Sequence, residues 1–132
     1  MGQPGSLLDR LVGERLSSVT FVRDYLQFDF DGPRLSVFVW PCVEAFEQEW
    51  RFGDQGYRDA LCGRIGRTVT GVSDASASGV VLRFDEDAVV INPEAADLRG
   101  PEIAMLQMND EERAWDIWRS GEGSFADRTW DV

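Results

Sequence analysis

Residues 25–40, YLQFDFDGPRLSVFVW, constrain what this chain can fold into more than any other stretch. Leu26, Phe28 and Phe30 alternate with Gln27, Asp29 and Asp31; Asp31-Gly32-Pro33-Arg34 breaks the run; Leu35, Val37 and Val39 then alternate again. Period-two hydrophobicity on both sides of a Gly/Pro turn specifies a β-hairpin with one buried face.

A weaker version of the same pattern returns later. Residues 65–72, IGRTVTGV, repeat the spacing of residues 12–19, VGERLSSV, and share a G-x-x-[LV]-x-x-V start. After a small-residue loop, Val80, Leu82, Phe84, Asp85, Val89 and Ile91 fall where Leu26, Phe28, Phe30, Asp31, Leu35 and Val37 stood. Two readings fit: an internal duplication of a three-stranded meander, or two meanders that look alike because strand and turn rules constrain both.

The connecting segments are read by the same rules. Residues 7–12 suit a short helical turn better than a strand. Between the copies, Tyr57, Leu61 and Ile65 recur every four residues, with Asp54 as N-cap and Gly66 as C-cap, which makes 54–66 a linking helix. Residues 43–52 fit helix or strand, with 48–52 favouring extended chain. Pro93 ends the second meander. Proline and an acid open residues 100–107, which suit a helical turn, and 113–119 read as a closing strand. The expected fold is mainly β (β-rich α+β), about seven strands in all. It is an internally duplicated three-stranded antiparallel meander forming a small barrel or a two-sheet sandwich with a short linking helix. One domain spans 1–132: a first meander and extension at 12–52, the helix at 54–66, a second meander at 67–93, a turn and closing strand at 100–119, and a tail at 120–132. In that tail Phe125 and Trp130 are the residues able to dock.

Composition narrows the chemistry. All 13 basic residues are arginine, and histidine is absent. The usual general base near neutral pH, the common transition-metal ligand and the Schiff-base lysine are therefore missing. Cys42 and Cys62 lack metal-ligand spacing and are too few for a disulfide framework. No apolar run reaches membrane-helix length and the N-terminus does not read as a signal peptide, so a cytoplasmic domain with no membrane contact is expected. A net charge of −11, concentrated beyond residue 84 where 13 acids meet 4 arginines, opposes nucleic-acid binding.

Residues 56–62 (GYRDALC), Ile65-Gly66, 100–107 (GPEIAMLQ) and 115–125 (WDIWRSGEGSF) carry a resemblance to a group of small, uncharacterised bacterial proteins. The resemblance implies a stand-alone bacterial domain and assigns no catalytic residue, cofactor or metal.

Candidate sites divide by chemistry. Asp29 and Asp31, with Asp24 near them, form a carboxylate pair or the solvent face of the hairpin. Asp85-Glu86-Asp87 occupies the second turn without EF-hand spacing. Phe38 and Trp40 lie opposite the core face of their strand, so a helix or another chain must cover them; with Trp50, Trp115 and Trp118 they form an aromatic interaction patch. Arg51, Arg58, Arg64 and Arg67 are an anion site or partners for the acidic C-terminal third. Cys62 is a thiol without a histidine partner. The leading expectation is a non-enzymatic domain binding a protein partner, a basic one, or forming a homodimer. The alternative is a small-molecule or anion binder using Arg58 and Arg64, and a carboxylate-based hydrolase is weaker still.

Overall fold

The computed structural model describes residues 7–75, 79–121 and 125. In chain order these hold β1 (Ser18–Val22), β2 (Tyr25–Asp29), β3 (Arg34–Val37), β4 (Cys42–Ala45), β5 (Gln48–Trp50), α1 (Tyr57–Cys62), β6 (Gly71–Ala75), β7 (Gly79–Phe84), β8 (Asp87–Ile91), β9 (Glu102–Gln107) and β10 (Trp115–Arg119). Short 3-10 turns at Leu7–Leu11 and Ala95–Asp97 complete the described elements.

The central hairpin forms in the expected register, with Leu26 opposite Val37 and Phe28 opposite Leu35. Its turn places Asp31 at φ 58 and Gly32 at φ 142, while the Phe30 N–H donates to the Pro33 carbonyl at 2.8 Å. β7 and β8 pair the same way 54 residues on, Val80 opposite Ile91 and Leu82 opposite Val89, and Asp85 at φ 62 stands where Asp31 did. β1 and β6 add to these hairpins alike, Val19 facing Phe28 and Val72 facing Leu82. All the expected core residues, from Leu26 to Val39 and from Val80 to Ile91, are at most 3% exposed and belong to one hydrophobic cluster. Each large apolar side chain so buried contributes about 1.5–3 kcal/mol, so the two alternating runs drive the fold.

Two antiparallel five-stranded sheets result, ordered β1-β2-β3-β9-β10 and β5-β4-β8-β7-β6, and neither closes into a barrel. Each meander is thus completed by a hairpin from the other half of the chain. β4–β5 follows β3 in sequence yet pairs with β8, and β9–β10 follows β8 yet pairs with β3. The two exchanged pairings match as well: Val43 faces Val89, and Leu106 faces Leu35.

The two G-x-x-[LV] starts meet along a short seam. Gly13 N–H donates to Val69 O at 2.8 Å and Gly66 N–H to Leu16 O at 2.7 Å, while Leu16 N–H reaches Arg67 O and Val69 N–H reaches Glu14 O, both at 2.9 Å. Arg15 and Thr68 bridge at its middle. Gly13 and Gly66 take φ 93 and 90, a left-handed turn open to glycine at little penalty. The bonds are reciprocal, so the seam is an approximate two-fold axis running through one chain.

Several expectations need correction. The described residues hold ten strands rather than seven: β4, β5 and β9 add to the two three-stranded meanders and the closing strand. Within residues 100–107, Glu102–Gln107 form strand β9 instead of a helical turn: the open edge of β3 needs hydrogen-bond partners, and Ile103, Ala104 and Leu106 become buried as β9 pairs with it. The linking helix covers only Tyr57–Cys62; Gly56 is its N-cap and Gly63 its C-cap. The Asp54 carboxylate instead accepts the Arg51 N–H at 2.7 Å, closing the turn before the helix. In the tail, Phe125 is buried edge-on against Trp118, and Trp130 lies outside the described residues.

Candidate functional site: the β4–β5 hairpin

The five expected interaction aromatics do not form one patch. Trp118 is 6% exposed and packs into the core with Phe125, since β10 turns that side chain inward. Trp115 is exposed on β10 at the edge of the first sheet. Phe38 is half-buried against Tyr25, their centroids 5.3 Å apart, so a side chain of the same meander covers it rather than the helix. Trp40 and Trp50 do come near one hairpin, together with two rings the sequence reading left out.

Those two are Phe46 and Phe52, 73% and 51% exposed. Phe46 stands edge-on to Trp50 at 6.2 Å, and Phe52 stacks on Trp40 at 4.3 Å with 10° between planes. Phe52 also meets Tyr57 edge-on at 6.0 Å, and the buried Tyr57 hydroxyl donates to the Pro41 carbonyl at 2.6 Å. Burial pushes the Tyr57 phenol well above its ordinary range, so it stays a donor. The alternation of Phe46, Gln48, Trp50 and Phe52 is the available signal for both rings, although a hairpin tip is not where an aromatic is expected.

The hairpin departs from strand and turn rules in two places. Phe46 and Glu47 occupy its two-residue turn at φ 54 and 62, a conformation that favours Asn-Gly and disfavours bulky side chains. Glu44 lies directly opposite Glu49, both exposed, and like charges so placed destabilise a ladder. Glu47 and Glu86 join these two around a surface hollow of about 360 Å³. The acidic surface here is therefore assembled from both halves of the chain, not from the C-terminal third alone.

The four arginines also separate. Arg64 is buried and pairs with the Asp87 carboxylate, which Arg67 approaches at 3.6 Å. Both therefore lie against an acid of the C-terminal third; Arg64 is closed to a ligand, whereas Arg67 stays exposed. The Arg64 guanidinium also sits 5.6 Å from the centre of the Phe46 ring, so the exposed tip residue covers the buried cation. Arg51 is paired with Glu49 at 3.0 Å, and Arg58 lies over Phe21 at 5.2 Å.

The carboxylate pair is likewise dispersed: Asp29 accepts from Arg34 at 2.7 Å and from Ser18 at 3.2 Å, and Asp31 is an exposed turn residue. In the second turn Asp85 bonds Thr70 through its backbone N–H, and Asp87 is committed to Arg64. Cys62 is exposed, and Cys42 is half-buried with its thiol pushed up by burial against the opposing pull of Arg51.

Fold and site together define a two-sheet antiparallel β protein presenting an aromatic, acidic hairpin. Comparison with known proteins finds no matching family model, curated protein or solved structure. Among the described residues, no helix is long and apolar enough to cross a membrane, and no group of three or more Cys, Asp or Glu is arranged to hold a metal ion.

Proposed function

We propose that this is a bacterial cytoplasmic recognition domain that binds a basic protein partner through the β4–β5 hairpin. The observation that carries the reading is a hairpin that exposes Phe46, edge-on to Trp50, and Phe52, stacked on Trp40, while Glu44, Glu47 and Glu49 gather around one hollow, the Glu44–Glu49 pair on the face opposite Trp50. Exposed aromatics anchor interfaces, and acids beside them select a cationic surface. Burying Glu44 and Glu49 against positive charge would relieve their mutual repulsion, so the hairpin gains from the partner what it lacks alone. A homodimer through this face is less favoured, because a two-fold contact sets the same glutamates of two copies against each other. The same proposal treats the two halves as copies of one unit, which their matching registers support.

Calorimetric titration with a poly-lysine peptide at several salt concentrations tests this. Glu44→Gln/Glu49→Gln is expected to weaken binding about tenfold. Glu111→Gln/Glu112→Gln, which removes equal charge from the β9–β10 connection, is expected to leave it nearly unchanged. Equal losses in both variants would mean that net charge alone attracts the peptide, and the hairpin reading would fail.

A further inference from the structure

Behind the hairpin, between β4, the end of β8 and the 3-10 turn Ala95–Asp97, lies a separate cleft of about 500 Å³. Its lining differs in sign from the rest of the molecule. Arg51 and Arg99 both border it, in a protein of net charge −11, and Asp97 is its one acid. The Asp97 carboxylate already accepts the Glu94 backbone N–H at 2.9 Å, capping its own turn. Arg99 makes no ion pair among the described residues, and the Arg51–Glu49 pair is exposed enough for a competing carboxylate to displace. One wall is apolar and aromatic: Phe52, stacked on Trp40, keeps half its surface open. The indole Nε1 of Trp40 is sealed from solvent, so Trp40 borders the cleft through its ring rather than through this donor. Cys42, its thiol pushed up by burial, is a neutral part of the lining.

We propose that the cleft binds a small organic anion, an aromatic or otherwise planar carboxylate. Its charge is held by Arg51 and Arg99 and its ring lies against Phe52 and Trp40. Guanidinium groups match a carboxylate in plane and charge, and the aromatic wall selects against bare inorganic anions. The volume falls within the range of small-molecule sites. The cleft shares Trp40 and Phe52 with the surface proposed for the protein partner, but the charge contacts differ: Glu44 and Glu49 for the partner, Arg51 and Arg99 for the anion.

Benzoate titrated into the intact protein, followed by calorimetry and by the rise in melting temperature, tests the assignment. Benzylamine and inorganic phosphate serve as probes of the same shape and of charge alone. Benzoate is expected to bind and the other two to be at least about tenfold weaker, with Arg99→Gln and Arg51→Gln each weakening benzoate about tenfold. Phe52→Ser is expected to lower benzoate affinity without improving phosphate, and Arg58→Gln, outside the cleft, to change nothing. The variants are exposed residues, and their unliganded melting temperatures report whether each folds. No benzoate binding, phosphate binding as tight as benzoate, or benzoate affinity indifferent to Arg51 and Arg99 would each overturn the proposal.

Discussion

The two halves of this chain share a backbone plan and differ in what they place inside it. In the first half, Leu11 and Pro33 are buried; 53 and 54 residues later the equivalent positions hold Arg64 and Asp87, a buried ion pair. The tips of the exchanged hairpins differ too, Phe46 at φ 54 against Asn109 at φ 55. Asparagine adopts that conformation readily through its short polar side chain, whereas it is disfavoured for phenylalanine. These departures fall together, since the Phe46 ring covers Arg64. The first half therefore follows the simplest rules for a stable meander, while the second sheet, which carries the β4–β5 hairpin, breaks several at one place. This spatial clustering of departures is the pattern on which the proposed binding surface rests.

The comparison can be broken most directly at the ion pair. Asp87→Ala leaves a guanidinium buried without its carboxylate and is expected to destabilise the protein by about 3–5 kcal/mol in urea unfolding. Arg64→Leu/Asp87→Ala, which restores an apolar pair like that of the first half, is expected to return stability to within about 1 kcal/mol of the parent or above it. If the double variant were as unstable as the single one, the two positions would not be interchangeable between halves.

A second difference concerns how each meander's middle strand begins. Tyr25 opens β2, but Gly79 opens β7 at φ 66, where an added Cβ would overlap the Ile91 carbonyl oxygen. Gly79→Ala is expected to lower stability by about 3 kcal/mol, measured by thermal and urea unfolding; a loss near zero would show that the strand can shift to make room. The smallest effect is expected at the hairpin tip. Glu47→Gly relieves a left-handed residue at φ 62 and should stabilise the fold by at most about 1 kcal/mol. A destabilised Glu47→Gly variant would show that the tip carries no strain and that its sequence needs no binding role to explain it.

Much of the fold was legible because its drivers are local. Alternation in residues 25–40 and 80–91 identifies both hairpins, their turns and their core faces, since period two and a Gly/Pro or Asp-rich turn are properties of a few consecutive residues. The candidate site was legible only in part. The sequence points to Trp40 and Trp50 at the hairpin, but equally to Trp118, which is buried, and it does not single out the exposed Phe46 and Phe52. Whether an aromatic on a strand is covered depends on a remote residue, as Phe125 covers Trp118 and Tyr25 covers Phe38.

The sequence by itself determined two β-meanders, their register and the apolar faces that drive them together, because neighbouring residues alternate or turn for steric and solvation reasons that need no distant partner. Only the tertiary structure decided that β4–β5 and β9–β10 cross to the opposite meander, that Arg64 meets Asp87 inside, and that Arg51 and Arg99 border one cleft. Strand edges satisfy their hydrogen bonds, and buried charges find their counterions, with whatever the folded chain brings alongside, and that is set by long-range geometry.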